Sequence, residues 1–165
     1  EVEKVVIYVG EKKSVDADDV NSVVGVSRQF NIFELQKAVG LRDVPRSMEI
    51  LERMLKSGES PVGMIVMLTR YFQKLWLLQE FVGKRIPESQ LPAQMGVSPY
   101  ALKEYLAAEK KHPGGALGES FAALVEADES LKSSLMDERM IMTLLVFKLA
   151  GAGEHLTRSG SYMGS

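Results

Sequence analysis

The stretch from Pro61 to Val82, PVGMIVMLTRYFQKLWLLQEFV, has the longest helical periodicity in the chain. Its apolar side chains recur every three or four residues, which is the spacing of one face of an α-helix. Ser60 can cap the first turn, and a proline at the first helical position loses no hydrogen bond. We therefore predict one long helix that neighbours cover on at least two sides, with Trp76 mostly buried. Its apolar stripe consists of Ile65, Leu68, Phe72, Leu75 and Leu78, widened by Met64, Tyr71 and Trp76.

Shorter segments with the same period flank this helix on both sides, so the sequence predicts an all-α fold. The connections are only a few residues long, which favours antiparallel neighbours. One flanking helix has a strong start signal, because Asn31 and Glu34 have the spacing of a capping box, and Gly40 can end it. The other helices are expected at Asp16–Val24, Asp43–Ser57, Pro87–Met95, from Ser98 onward, at Leu117–Leu135 and at Asp137–Ala150.

Composition and motifs exclude several functions. The chain has 165 residues, a formal net charge of -2 and no cysteine, so disulfides and thiolate metal sites are excluded. No excess of positive charge is present to hold a polyanion. His112 and His155 stand beside helix-breaking or tail residues without a carboxylate at helical spacing, so we expect no metal and no other cofactor. No glycine-rich turn ends in Lys and Ser or Thr, so we expect no phosphate-binding loop and no catalytic site.

The two ends of the chain lead to further expectations. The first residues lack the basic start and long apolar run of a signal peptide, and no apolar stretch is long enough to span a bilayer. We expect a cytoplasmic protein without membrane contact. The sequence starts at Glu1 in the middle of a pattern, as though cut from a longer protein. Residues 152–165 have no hydrophobic period, and we expect them to be a disordered tail.

Residues 90–106 resemble a helix-turn-helix, since Gly96 can form the tight turn and Ser98 can cap the second helix. This pattern allows an alternative function as a DNA-binding regulator. However, the second helix would present Lys103 and Glu104, and no Arg, Asn or Gln that could read base edges. Two short helices around a glycine turn are also an ordinary packing unit, and we favour that interpretation.

Two cations, Arg70 and Lys74, lie one turn apart on the predicted long helix. They could form a ridge that contacts phosphates, or a polar strip that faces solvent or a partner subunit. On an amphipathic helix, a solvated face is the simpler interpretation. We take these two residues as the candidate partner interface and expect their charges to contribute little to stability.

Several segments, in their order and spacing, resemble the delta subunit of the bacterial DNA polymerase III clamp loader. The resemblance extends over nearly the whole chain, from Glu1 to Leu149. The similar segments are EVEKVVIYVGEKKSVDADDVNSVVG (1–25), SRQFNIFELQKAVG (27–40), RSMEILERMLKSGESPVGMIVMLTRYFQKLWLLQEF (46–81), GVSPYALKEYLAAEKK (96–111) and ALVEADESLKSS (123–134).

The resemblance implies a domain plan with an AAA+-like N-terminal domain, a small helical lid and a C-terminal helical collar. On that plan, residues 1–42 would be the C-terminal part of the lid, residues 43–151 the collar, and residues 152–165 an unassigned tail. The N-terminal domain, which grips and opens the sliding clamp in this family, would be missing from the chain. The resemblance also implies that delta itself does not hydrolyse ATP, which agrees with the missing phosphate-binding loop.

The function implied by the resemblance is assembly. The collar would pack in a ring against other loader subunits of the gamma/tau and delta-prime type, so that the sliding clamp is loaded on DNA during replication. Contact with the clamp would go through the missing domain, and contact with DNA would be indirect. The chain would have no catalytic site, although its family belongs to a DNA-directed DNA polymerase holoenzyme, a nucleotidyltransferase. The helix-turn-helix-like segment would then be part of the collar.

Overall fold

The computed structural model describes residues 31–133 and 135–151, and all regular secondary structure in these ranges is helical, as predicted. The helix predicted at Asp16–Val24, the predicted tail at 152–165 and His155 lie outside the described residues. The elements, in chain order, are α1 (described over 31–40), α2 (Val44–Lys56), α3 (Pro61–Gly83), a 3₁₀ turn (Glu88–Gln90), α4 (Leu91–Met95), α5 (Pro99–Glu109), α6 (Ala116–Ser133) and α7 (Glu138–Leu149).

Three helices begin at capping residues. The side chains of Asp43, Ser60 and Ser98 each accept a hydrogen bond, of 3.1, 3.2 and 3.1 Å, from the backbone amide three residues later. A proline follows each of them within the first two helical positions, where its missing amide hydrogen has no cost. α4 ends at Gly96, whose φ of 63° forms the predicted tight turn.

The predicted start of α1 is wrong, because Asn31 is already helical and buried instead of preceding the first turn. The predicted end of the helix at residue 40 is confirmed, although the left-handed residue beyond it is Arg42, with a φ of 57°. Gly40 serves a different purpose. A Cβ at this position would lie 1.9 Å from the Tyr71 hydroxyl oxygen, so the glycine allows α1 and α3 to approach closely.

α3 is the central helix of the bundle. α6 packs along one flank of it, α4 and α5 pack along the other, and α7 connects α6 to α2. The predicted apolar stripe is buried on α3, which confirms that neighbours cover this helix on two sides. The buried residues of α3 are Met64, Ile65, Leu68, Tyr71, Phe72, Leu75 and Leu78.

The α5 flank is fixed by an aromatic pair. Tyr71 stacks on Tyr105 with 5.1 Å between the ring centroids. Burial of the two phenols raises the pKa of Tyr105 to about 12 and raises the pKa of Tyr71 as well, so both stay neutral at physiological pH.

The prediction that Trp76 is mostly buried is wrong, because 54% of this side chain is exposed. At about 100° per residue, Trp76 lies a quarter turn or more away from Leu75, which marks the centre of the buried arc. It therefore lies at the edge of that arc. Phe121 of α6 covers one side of the indole at 5.5 Å between ring centroids, and the other side faces outward.

α1 belongs to the same core as the helices that follow it. The Gln36 side-chain amide donates a hydrogen bond to the Met67 carbonyl oxygen of α3 at 2.9 Å. The Nε2–H of His112 donates to the Gly40 carbonyl oxygen at 3.1 Å, since a carbonyl can only accept. The predicted domain division at residue 42 stays a prediction. The residues of α1 in the shared core are Ile32, Leu35, Ala38 and Val39.

We predict that Gly40→Ala lowers the free energy of unfolding by about 1–3 kcal/mol, because the new methyl group would overlap the buried Tyr71 hydroxyl. Gly83→Ala is the matched control, since Gly83 also ends a helix and no atom lies within 4 Å of an added Cβ. It should be neutral, or stabilising by up to about 1 kcal/mol. Urea denaturation measures both. Equal effects would show that Gly40 is not a site of close approach.

We also predict that Leu75→Ala costs more stability than Trp76→Ala, although the tryptophan loses more atoms. Leu75 is fully buried, so its truncation should cost about 2–5 kcal/mol of stability. Trp76 is more than half exposed, so its truncation should cost less. Equilibrium unfolding of the two neighbouring variants gives the comparison. A larger loss for Trp76→Ala would contradict the exposed position of the indole.

Candidate functional site

The first candidate site is a groove of about 430 Å³ between α3 and α6, on the outer side of the bundle. Trp76, late in α3, contacts Phe121, early in α6, so the two helices run antiparallel along this groove. We call this surface the α3–α6 face. Its members are Val66, Arg70, Gln73 and Trp76 of α3, and Phe121, Val125 and Asp128 of α6.

The α3–α6 face exposes large apolar side chains. Val66 is 44% exposed and Val125 is 58% exposed, and the half-exposed Trp76 indole lies about 15 Å further along α3 than Val66. Scattered single apolar residues are normal on protein surfaces, but apolar residues that adjoin one another are typical of binding sites. The sequence signal for this surface is weak. Trp76 and Val125 fit the helical apolar pattern just as the neighbouring buried residues do, so the pattern alone does not show that they are exposed.

One positive charge lies in the middle of this apolar surface. Arg70 is exposed, and within residues 31–133 and 135–151 it has no hydrogen-bond or ion-pair partner. The nearby acid of α6, Asp128, is already engaged, since Lys132 lies 2.5 Å from its carboxylate. The α3–α6 face therefore presents a guanidinium that is free to pair with an external anion.

The two residues predicted as the partner interface are in different positions. Arg70 lines the groove of the α3–α6 face. Lys74 lies one turn further along α3, is half-buried and does not line that groove. The structure therefore brings Arg70 into one groove with Phe121, which also contacts Trp76, and leaves Lys74 outside that groove.

A second apolar surface follows α7. Met140 and Leu144 are about half exposed, and Met136 and Phe147 extend the same line of side chains. Two ion pairs border it, one between Lys148 and Glu126 at 2.6 Å and one between Arg139 and Glu52. The charges beside this surface are thus paired within the chain. We call it the α7 stripe, and its members are Met136, Met140, Leu144 and Phe147.

The segment that resembles a helix-turn-helix packs on the end of α3. Its exposed part offers little to DNA, because Glu104 is held by Lys37 at 2.9 Å and Lys103 stands beside this acid. The hydrogen bond with Glu104 raises the pKa of Lys37 above its ordinary value. The surface of this segment therefore does not support the DNA-binding alternative. Its buried residues, which pack around Leu78, are Leu91, Met95 and Leu102.

His112, considered above as a possible metal ligand, packs in the core of the bundle instead. His112 is fully buried, contacts the Gly40 carbonyl oxygen, and lies edge-on to Phe72 with 5.7 Å between ring centroids. Across the described part of the chain, no three acidic or histidine side chains are grouped so that they could hold a metal ion. In the same residues, no helix combines the length and apolar character needed to cross a membrane.

A bundle that leaves apolar surfaces open, among them the α3–α6 face and the α7 stripe, belongs to the class of helical domains that can dock other proteins. Comparison with known families is more specific. The family model of the DNA polymerase III delta subunit, C-terminal domain, matches residues 29–149. The chain belongs to this family, and the match covers every helix that the structure describes.

Individual relatives agree with the family. The chain is 22% identical over 154 residues to DNA polymerase III subunit delta of Bacillus subtilis, covering 93% of the chain and 44% of the relative. It is 29% identical over 116 residues to the probable DNA polymerase III subunit delta of Aquifex aeolicus, covering 67% of the chain and 33% of the relative. The chain thus spans less than half the length of these curated relatives.

A solved structure has the same fold. The Bacillus subtilis DNA clamp loader delta protein superposes with a TM-score of 0.66 over 90% of this chain and 44% of that one, at 21% identity. The helical arrangement described above is therefore found in an experimental structure as well.

We predict that Arg70→Glu changes the free energy of unfolding by less than about 0.5 kcal/mol, because the guanidinium is exposed and no ion pair is broken. Thermal unfolding of the variant beside the parent chain measures the effect. A loss of more than about 2 kcal/mol would mean that Arg70 stabilises the bundle and is not available to a partner.

Proposed function

We propose that this chain is the assembly domain, or collar, of a clamp-loader delta subunit. It packs against loader subunits of the gamma/tau and delta-prime type and so holds delta in the complex that loads the sliding clamp on DNA during replication. The observation that carries this proposal is the family match over residues 29–149, which coincides with a bundle that leaves its outer apolar surfaces open.

The two surfaces support a position between two different neighbours. The α3–α6 face and the α7 stripe lie on opposite flanks of α6, since α6 packs against both α3 and α7. They also differ in chemistry, because only the α3–α6 face contains an unpaired charge among the described residues. Two unlike surfaces suit a head-to-tail arrangement, in which each subunit of a ring contacts one neighbour on each side.

The domain organisation of delta is part of the same proposal. Residues 1–42 form the C-terminal part of the lid, residues 43–151 form the collar, and the N-terminal domain that grips the clamp lies in the part of delta that this chain does not contain. The shared core of α1 and the later helices supports placing residues 31–40 with residues 43–151 in the unit that assembles. ATP hydrolysis and catalysis belong to other subunits of this cytoplasmic holoenzyme, and contact of this chain with DNA is indirect.

The test is binding of the chain to each purified loader subunit, measured by gel filtration and isothermal titration. We predict complex formation with at least one of them. The pair of substitutions Met140→Glu and Leu144→Glu should weaken the complex at least about tenfold, which corresponds to about 1.4 kcal/mol, because it charges an apolar contact.

Tyr100→Glu is the matched control for this pair. Tyr100 is 73% exposed, so the substitution also adds an acid at an exposed apolar position, but on α5 and away from both surfaces. It should leave the affinity unchanged. If no loader subunit binds the parent chain, the assembly function is wrong. If the control weakens binding as much as the α7 variant does, the α7 stripe is not the contact.

A further inference from the structure

We propose that the α3–α6 face is the docking site for one amphipathic helix of a neighbouring loader subunit, and that a carboxylate on this helix pairs with Arg70. This proposal rests on the assembly function and names the chemistry of one contact within it. The α7 stripe has no part in it.

The shape of the face fits a helix. α3 and α6 are antiparallel, and the groove between them is open along the stretch from Val66 to Gln73. Two packed helices with an apolar groove between them accept a third helix, whose side chains at positions i, i+3, i+4 and i+7 enter the groove. Trp76 and Phe121 stand at one end of the groove, and Asp128 and Val66 stand towards the other.

The residue types are those that dominate binding energy at protein interfaces. Tryptophan and arginine are enriched among the side chains whose truncation costs most affinity. Trp76 offers a large rigid ring, already held on one side by Phe121, so little conformational freedom is lost when a partner covers its other side. Arg70 lines the groove six residues before Trp76, about a third of a turn away around the axis of α3.

The charge of Arg70 determines what the partner must supply. A helix that covered the groove with apolar side chains alone would take the guanidinium out of water without a counter-charge, which is costly. Asp128 already pairs with Lys132, so Lys132 and Arg70 together would share one carboxylate and leave a net positive charge under the covering helix. The occupant therefore combines apolar residues, which contact Val125 and Trp76, with an Asp or Glu that reaches Arg70.

The unpaired charge of Arg70 disfavours two other occupants. A second copy of this chain, paired face to face through a two-fold axis, would offer Arg70 only the same Asp128, whose charge Lys132 already balances. Nucleic acid could stack on Trp76 and offer a phosphate, but affinity for a polyanion needs several cations, and Lys74 is half-buried outside the groove. An acidic amphipathic helix is the occupant that satisfies both the apolar and the charged part of the face.

Trp76 gives a direct readout, because it is the single tryptophan of the chain. The chain is labelled with 5-fluorotryptophan, and its fluorine resonance is followed while each purified loader subunit is added. The subunit that docks on this face should shift the resonance at saturating concentration. Arg70→Glu should weaken that binding at least tenfold, and Arg70→Lys should weaken it less. One acid-to-lysine substitution on the partner should restore binding to Arg70→Glu.

Lys103→Glu is the control, since it makes the same change of charge at an exposed position on α5. It should bind the subunit like the parent chain. This inference would be overturned if a loader subunit binds but the fluorine resonance does not move and Arg70→Glu binds with the parent affinity. That result would leave the assembly function intact. A signal that moves with the concentration of the chain alone would assign the face to a second copy. A signal that moves only with duplex DNA, with steep salt dependence, would assign it to nucleic acid.

Absence of binding by every loader subunit is a different result. It would contradict the assembly function, and the docking proposal would fall with it. The two failures are therefore distinguished by whether the parent chain forms any complex at all.

Discussion

Burial of one side of α3 is the constraint on which the rest of the bundle depends. Leu68, Phe72 and Leu75 are completely withdrawn from solvent, and this requires α6 on one flank and α4 with α5 on the other. Once α6 is in place, its other flank receives α7, which in turn packs on α2. None of these helices covers the outer side of α3, which stays open and becomes one wall of the α3–α6 face.

The central part of this arrangement could be predicted from the sequence, because a buried stripe must repeat at the helical period and three capping residues stand one or two positions before a proline. The edge of the buried stripe could not be predicted from the sequence. Trp76 fits the same apolar pattern as Leu75, and only the position of α6 determines that one side of the indole stays open. The start of α1 could not be predicted for a similar reason, since the capping signal at Asn31 is local, whereas in the structure Asn31 is already helical and buried. Of the candidate interface, the sequence identified Arg70, but its apolar surroundings come from α6 and required the tertiary structure.

The two open surfaces differ in a way that matters for assembly. Next to the α7 stripe, Lys148 and Arg139 are each paired with an acid of the same chain, so contact there depends on apolar area alone. On the α3–α6 face, Arg70 remains unpaired among the described residues and adds a requirement for charge. A partner that lacks the matching acid is penalised at this face by the desolvation of Arg70, which favours one neighbour over the others. Unlike surfaces on one subunit can thus fix the order of subunits around a ring.

On the proposed function, these open apolar surfaces are covered when the chain is part of a clamp loader. Hydroxyl-radical footprinting of the chain, alone and in complex with the purified loader subunits, measures this coverage, because tryptophan, methionine and phenylalanine side chains react readily when exposed. We expect Trp76 and Met140 to lose most of their reactivity in the complex, while Tyr100 keeps its own. Equal reactivity of Trp76 and Met140 with and without the other subunits would contradict this expectation.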